Sequence, residues 1–389
     1  MQVEDRGEER SAATPRAYTR RSRPRDSRTG ERSTRFRITF ITHWRAPDFS
    51  GDGKGQGMPY AAITGWGKAV PDRVLTNQDL EAMVETSDEW IMSRTGIRER
   101  RIVGRDDSTT SLATAAARAA LTRAGRTPDE INLTIVGTAT PDDFLVSQAC
   151  MVQAELGGTG GAFDVGAACA GFVTALSVGS QFVNAGVYRR VVVIGVDTLT
   201  RFVDYTDRST CVLFGDGAGA VVIEAGEEPR GLLSTVLGAD GAGHKHLYVP
   251  GWGGLVPESA ELFPEYRPYL QMNGKEVFRF AVQVMGDAAA EAVKKVGLKF
   301  EDIDMLIPHQ ANLRIIDAAA RRLALPKEKV WINVDRYGNT SAASVPIALA
   351  EAADAGALCE GKHVVLVAFG AGLAWAAGVI RWGTAGVPT

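Results

Sequence analysis

The sequence predicts an α/β protein built from two similar halves, and three observations carry that expectation. From Met58 onward, short apolar runs alternate with Ala-rich stretches, the order of strands and covering helices in an α/β fold. Segments of the first part return in the same order in the second, between about 155 and 172 residues later. The chain has 389 residues, 45% of them hydrophobic and 23% charged, enough for two domains or one large duplicated one.

Expected strands in the first half are Tyr60–Thr64, Leu133–Val136, Ala162–Val165, Val191–Val196 and Gly219–Glu224. A second set is expected at Met305–Ile307, Val330–Asn333, His363–Ala368 and Trp375–Ile380. Asp129-Glu130-Ile131 precedes one buried strand as Glu301-Asp302-Ile303 precedes another, 172 residues on. Phe214-Gly215-Asp216-Gly217 is echoed by Phe369-Gly370-Ala371-Gly372. The helix that follows Cys169 and ends at Asn184-Ala185-Gly186 aligns without a gap, at an offset of 170, on the helix that follows Asn339 and ends at Asp354-Ala355-Gly356. Cys169 and Asn339 are thereby expected to be symmetry mates. The expected division is an extension over 1–57, a first half over 58–228 carrying Cys169, and a second over 229–389 carrying His309 and Asn339.

The extension differs in character. Residues 1–57 hold 13 Lys/Arg against 8 Asp/Glu, which leaves the remaining chain at −8 within a total of −3. Residues 1–35 are rich in Arg, Ser and Thr and too poor in apolar side chains to offset the entropy of ordering, so disorder is expected there. Glu4, Asp5, Glu8 and Glu9 weaken a reading as a nucleic-acid-binding arm, a transit peptide or a membrane-surface anchor. Lys54-Gly55 corresponds to purine-rich codons placed like a ribosome-binding site, and Met58 opens a strand, so translation is expected to start at Met58.

No run approaches the roughly 18 apolar residues of a membrane span, and the N-terminus lacks the charged, apolar, small-residue order of a secretory signal. A cytoplasmic location is expected, with neither a nucleic-acid nor a membrane partner. The four cysteines, Cys150, Cys169, Cys211 and Cys359, show no CxxC or Cys/His spacing, so neither a disulfide framework nor a metal site is indicated.

Cys169 stands apart in the run FDVGAACAGF (163–172), where a strand passes through small residues into a helix. A thiol near a helix N-terminus gains from the dipole and the free N–H groups, which favour thiolate and oxyanion alike. The other three cysteines lack that turn: Cys150 falls on a helix, Cys211 at a strand start and Cys359 in a loop. Most free cysteines are buried structural residues. His309, in IPHQANLRII (307–316), also sits where a strand leads into a helix that Asn312 helps cap; His43, His244, His246 and His363 lack such a setting. Asn339 lies in NVDRYGNTSAAS (333–344), where Gly338 supplies a sharp turn. Gly-Asn-Thr-Ser is good turn chemistry in itself, and the repeat is what raises Asn339 to a candidate.

With these runs in place, the chain from Met58 to about Trp382 resembles the thiolase-fold condensing enzymes, and within them the β-ketoacyl-[acyl-carrier-protein] synthase III family, initiators of type II fatty acid synthesis. The resemblance implies a five-layer α/β/α/β/α fold and a catalytic Cys169–His309–Asn339 set. The run TSDEWIMSRTGI (86–97) resembles the family's coenzyme A clamp, implying a stacking role for Trp90 and contacts from Arg94 and, in TDRST (206–210), from Arg208. Asn273 and Phe278 resemble the tunnel wall on the coenzyme A side. Phe144 takes the position that reaches into a partner subunit's acyl pocket, implying a homodimer. Backbone N–H groups of Cys169 and Ala371 are the implied oxyanion hole, Ala371 standing where the family has glycine. Gln310 and Arg314 are the implied carrier-protein contacts, with Arg321 and Arg322 adding positive charge.

The implied reaction is a ping-pong condensation of a short acyl-CoA, acetyl-CoA by expectation, with malonyl-acyl carrier protein. It gives 3-oxoacyl-acyl carrier protein, coenzyme A and CO2. No cofactor is implied, the thioester being a substrate. A type III polyketide synthase would share the three residues but use no carrier; the clamp and the HQANLR run speak against it. A biosynthetic thiolase would need a second cysteine in the Gly370 turn, and Cys359 lies before the last strands. A catalytically silent dimer partner would have lost the nucleophile or the histidine.

Overall fold

The computed structural model describes residues 59–250 and 269–383. The expected extension over 1–57 and the start at Met58 lie outside the described residues. From Tyr60 to Gly226 the elements are β1 (Tyr60–Ala69), β2 (Val74–Thr76), α1 (Asn77–Glu81), α2 (Asp88–Thr95), β3 (Glu99–Arg101), α3 (Thr109–Ala124), β4 (Leu133–Gly137), α4 (Gln148–Leu156), β5 (Gly161–Val165), α5 (Gly171–Asn184), β6 (Arg190–Thr198), α6 (Arg208–Cys211) and β7 (Asp216–Gly226). From Gly231 they are β8 (Gly231–Leu232), β9 (Val236–Ala239), β10 (Leu247–Tyr248), β11 (Gln271–Met272), α7 (Gly274–Lys295), β12 (Met305–Pro308), α8 (Leu313–Arg322), α9 (Val334–Tyr337), α10 (Ser344–Asp354), β13 (His363–Gly370) and β14 (Ala374–Arg381).

Two sheets repeat one topology. The first has the order β1-β7-β6-β4-β5, with β4 parallel to β5 and β6, and β7 antiparallel to β1 and β6. In the second, β12 runs parallel to β13, β13 antiparallel to β14, and β8 and β9 pair antiparallel with β14. Val330 completes that sheet at the edge matching β5 by a single parallel bridge to Leu306. The strand expected over Val330–Asn333 is therefore reduced to one bridge. The Gln310 side chain takes its backbone groups instead, accepting from the N–H of Asn333 and Val334 and donating to the carbonyl of Trp331. Cys211, expected at a strand start, ends α6, because Asp207 caps that turn through the Ser209 N–H. The two- to four-residue strands β2, β3 and β8 to β11 are too short to show a period.

The strands read as near-continuous apolar runs because both faces of each sheet are covered. Along β6, Val191 and Val193 face the central layer while Val192, Ile194 and Val196 face α3 and α4. Along β13, Val364, Leu366 and Ala368 face the centre while Val365, Val367 and Phe369 face α7 and α8. The centre holds α5 and α10, which are mostly apolar: nine residues of each are buried. The result is the five-layer α/β/α/β/α order. No helix among the described residues is long and apolar enough to cross a membrane.

The central helices correct the expected register of the repeat. They end alike, at Gly186 and Gly356, both at φ 70°, 170 positions apart. They begin alike three positions further apart, after 3-10 turns over Ala168–Ala170 and Ser341–Ala343 whose first residues, Ala168 and Ser341, have φ 44° and 50°. α5 has 14 residues and α10 has 11, which absorbs the difference. The positional mate of Cys169 is thus Ala342, and Asn339 lies just ahead of the matching turn.

A buried ionic network ties the halves together behind the centre. Glu351 of α10 accepts hydrogen bonds from Lys68 of β1 at 2.6 Å, Tyr337 at 2.7 Å, Asn333 at 2.8 Å and Arg336 at 2.9 Å. Burial opposes ionisation of this carboxyl, but the hydrogen bonds from Lys68, Asn333 and Tyr337 outweigh it and bring its pKa down to about 2. The unfolded chain, with an ordinary carboxyl, takes up the proton first as pH falls below about 4.5. The stabilisation is therefore fully present above that pH and is lost as pH falls toward 2. Glu351→Gln should cost about 3 kcal/mol of stability at pH 7 in denaturant titrations, and the difference from the parent should vanish near pH 2.

Candidate active site

Three strand ends meet at the N-termini of the central helices. β5 ends at Val165, and the chain turns through the 3-10 segment Ala168–Ala170 into α5, which leaves Cys169 at the head of a 14-residue helix with 7% of its surface exposed. β13 closes against it so tightly that a Cβ on Gly370 would lie 2.6 Å from the Cys169 nitrogen. Only glycine permits that approach. Ala371 follows and lines the same cavity as Cys169.

His309 follows β12 directly, its N–H bonded to the Val367 carbonyl at 2.7 Å and its ring 5.9 Å from that of Phe369, edge to face. Its Nδ1 lies 2.6 Å from Ser344 Oγ on α10, which leaves Nε2 for the cavity. Asn339 is pinned across the halves: its N–H donates to Leu213 O at 2.8 Å, and its carbonyl accepts from Gly215 at 3.0 Å. Its side-chain Oδ1 accepts from the Ser341 N–H at 2.9 Å, so Nδ2 remains as the donor for a ligand. Gly338 before it has φ 63° and packs on the fully buried Arg100, whose guanidinium is held by the carbonyls of Leu75 and Val212 and by Asn77.

The three side chains are buried, and the site's titrations follow from that. Burial pushes the Cys169 thiol up to about 12; a hydrogen bond from Ser341 at 3.3 Å works against this and the nearby Asp197 charge adds to it. Burial alone brings the His309 ring down to about 3, so the imidazole is neutral at physiological pH. Among the described residues no group of three or more His, Cys, Asp or Glu side chains is arranged to hold a metal ion.

Two cavities meet at Cys169. One, of about 240 Å³, is lined by Leu199, Phe202, Leu247, Tyr248 and Leu270 besides Cys169 and Ala371. The other, of about 90 Å³, is lined by Met272, Phe278, His309, Asn312, Asn339 and Gly370 besides Cys169. Cys169, His309 and Asn339 thus share the second cavity, and Phe278 forms part of its wall. The exposed Asn273 caps α7 beside it, and the guanidinium of the exposed Arg314 lies 5.0 Å from the Phe278 ring. Trp90 is flanked by two exposed arginines, with Arg208 at 4.9 Å and Arg94 at 5.7 Å from its ring. Asn312 ties this cluster to the cavity by donating to the Arg94 carbonyl at 2.9 Å.

Two expected residues stand elsewhere. Gln310 is 1% exposed and its amide is spent on the backbone of Pro308, Trp331, Asn333 and Val334. It has no surface to offer a carrier protein, which corrects that expectation; its work is to fasten the segment leading to Asn339. Phe144 is 74% exposed in a loop and lines neither cavity of its own chain. Sequence reasoning missed Ser341, Ser344 and Asp197. Ser341 and Ser344 lie in the same run as Asn339, where they read as capping residues, and Asp197 is the acidic residue that follows the apolar run Val191–Val196 of β6.

Family models described as 3-oxoacyl-[acyl-carrier-protein] synthase III and its C-terminal part match residues 163–241 and 293–382. A curated beta-ketoacyl-[acyl-carrier-protein] synthase III of Roseiflexus sp. (strain RS-1) is 52% identical over 324 residues, 83% of this chain and 98% of that one. The solved enzyme of the same name from Thermus thermophilus is 49% identical at a TM-score of 0.78, covering 83% of this chain and 100% of that one. The priming beta-ketosynthase from the R1128 polyketide biosynthetic pathway is 37% identical, also at 0.78, over 85% of this chain and 99% of that one.

Burial of His309 has a direct readout. NMR titration of its ring should show a neutral imidazole from pH 8 down to 5, two units above the value of about 3; a midpoint near the ordinary value of about 6.5 would contradict the buried site.

Proposed function

The chain belongs to the 3-oxoacyl-[acyl-carrier-protein] synthase III family, and from that premise we propose that Cys169, His309 and Asn339 carry out its chemistry on a short acyl-CoA and malonyl-acyl carrier protein. The protein is an acyltransferase, a condensing enzyme for the initiating step of fatty acid synthesis. The observation that carries the residue assignment is the meeting of the two cavities at one sulfur. The larger, mostly apolar one suits an acyl chain, and the narrower one suits the arm of a thioester.

In the first half-reaction the Cys169 thiolate attacks the acyl thioester, the N–H groups of Cys169 and Ala371 hold the tetrahedral oxyanion, and coenzyme A leaves. Trp90, Arg94 and Arg208 form the outer grip on coenzyme A: an aromatic face between two cations fits a stacked base and its phosphates. Asn273 and Phe278 border the arm. In the second half-reaction malonyl-acyl carrier protein enters the same cavity, with Arg314 at its rim meeting the acidic carrier. His309 Nε2 and Asn339 Nδ2 donate to the malonyl thioester oxygen as CO2 departs, and the resulting enolate attacks the acyl group on Cys169. A neutral histidine suits this task, because a donor in a buried site stabilises the developing oxyanion without first having to lose a proton.

The two halves run over 58–228 and 229–389, and the enzyme works in the cytoplasm without a cofactor. Phe144, Leu145 and Val146, at 74%, 89% and 45% exposure, form an apolar loop tip that a second copy covers in a homodimer. The likeness to the R1128 priming ketosynthase favours a second reading, in which the same chemistry starts a polyketide from a different primer. Competition among acetyl-, branched and longer acyl-CoA esters separates the two.

Cys169→Ala should abolish condensation of acetyl-CoA with malonyl-acyl carrier protein, by roughly 10³-fold or more; parental turnover would remove the assignment. Arg314→Glu should raise the KM for malonyl-acyl carrier protein about tenfold and leave the KM for acetyl-CoA unchanged. An unchanged carrier-protein KM would take Arg314 out of the docking site.

A further inference from the structure

The His309 ring and the Ser344 hydroxyl occupy a place that the first half leaves to bare backbone. The repeat sets His309 opposite Gly137, and the matching turns that begin at Ala168 and Ser341 set Ser344 opposite Gly171. In the first half these two glycines touch: a Cβ on Gly137 would lie 2.5 Å from the Gly171 carbonyl carbon. In the second half a ring and a hydroxyl face each other instead, with His309 Nδ1 2.6 Å from Ser344 Oγ and both residues 1% exposed. Thr174 and Ser177 of α5 donate to the carbonyls of Ala170 and Val173, one turn back, as helical hydroxyls commonly do. Ser344 departs from that habit. Among the described residues its side chain makes no hydrogen bond but the one to His309.

A neutral imidazole carries one N–H proton, and the hydrogen-bond count decides which nitrogen holds it. If Nδ1 held it, Nδ1 would donate to Ser344, the serine hydrogen would be buried without an acceptor, and the cavity would meet a bare Nε2 lone pair. If Nε2 holds it, Ser344 donates to Nδ1 and every hydrogen at the contact is used. We propose that Ser344 is a positioning residue, which donates its hydroxyl hydrogen to His309 Nδ1 and so holds the ring's one N–H proton on Nε2, facing the cavity. Burial supplies the other condition, since a ring whose pKa is brought down to about 3 does not take a second proton at physiological pH. The consequence for catalysis rests on the reading of His309 as an oxyanion donor. Asn339 lines the same cavity with Nδ2 as its donor, so two N–H groups converge on a thioester oxygen. The other tautomer would set a lone pair against that oxygen and repel it.

The test reads the tautomer directly, by long-range proton–nitrogen correlation NMR on protein isotope-labelled at histidine, with the His309 signals assigned by their absence from His309→Gln. The parent should show the proton on Nε2 and Nδ1 as a hydrogen-bonded acceptor; a proton on Nδ1 would overturn the proposal. In Ser344→Ala the Nδ1 resonance should move to that of an acceptor without a donor, and an unmoved resonance would also overturn it. Decarboxylation of malonyl-acyl carrier protein should slow about tenfold in Ser344→Ala, the effect of one lost hydrogen bond, and Ser344→Thr, which keeps a hydroxyl, should recover most of the loss. Acetyl transfer from acetyl-CoA, in which the ring takes no part, should slow by a smaller factor; equal slowing of both half-reactions would mark Ser344 as merely structural and sink the positioning role. If Ser344→Ala does not fold, the parent spectrum decides. A parent that shows the expected spectrum but does not decarboxylate malonyl-acyl carrier protein leaves the tautomer assignment standing and speaks against the substrate reading.

Discussion

The carboxylate of Asp197 is buried at the end of β6 and accepts hydrogen bonds from both repeats: from Thr138, Ala139 and Thr140 after β4, and from the Ala342 N–H ahead of α10. An unpaired carboxylate at that depth would cost several kcal/mol, so the two loops are held in one relative position by a single charged group. Every feature of the centre follows from that position. The turn carrying Ser341 sets where Asn339 stands, and the close approach of Ala342 to β6 requires glycine at 195, where a Cβ would meet the Ala342 carbonyl at 2.3 Å. The centre tolerates no shift of one half against the other.

Duplication explains why the site lies where it does. Each half supplies one mostly apolar helix with nine buried residues, and two such helices are covered when they lie between two sheets. Their N-termini, with unpaired N–H groups and positive dipole ends, then point at the strand ends of β5, β12 and β13. The halves are not equivalent at this point. One turn carries a cysteine where the other carries Ala342, and the second half places its histidine at a position that is Gly137 in the first. Symmetry gives the frame, and its breaking puts a thiol at the head of one half and an imidazole at a strand end of the other.

Cys169, His309 and Asn339 stand in a buried site. Burial keeps His309 neutral and makes the Cys169 thiol hard to ionise, so the side chains at this point meet as hydrogen-bonding groups rather than as standing charges. Charge appears outside, where solvent can carry it: Arg94 and Arg208 around Trp90, and Arg314 over Phe278. On the proposed assignment, substrates are gathered at the rim by cations and aromatic faces while bond-making proceeds at the buried end.

Much of this was legible in the chain. Apolar runs on strands covered from both sides, Ala-rich helices and the recurrence of short segments are local properties, and they determined the α/β class, the two halves and the resemblance of Cys169, His309 and Asn339 to a known catalytic set. What pattern alone did not carry is whatever depends on distance across the fold. Val330–Asn333 has the composition of a strand, yet the Gln310 side chain takes its backbone groups. The same amide, expected at a docking surface, is buried because those partners surround it. Matching helix ends set an offset of 170 for the repeat, but the turns at the helix starts align three residues further on, a difference that appears only when φ angles can be compared. Asp197 and Ala342, whose N–H it accepts, lie 145 positions apart and have no common pattern. The sequence determined which segments would be strands and helices and which side chains could do chemistry, because those follow from the nearest neighbours along the chain. Only the tertiary structure decided that one buried carboxylate joins the loop after β4 to the turn ahead of α10, because hydrogen bonds between distant segments form when the sheets and central helices close around them.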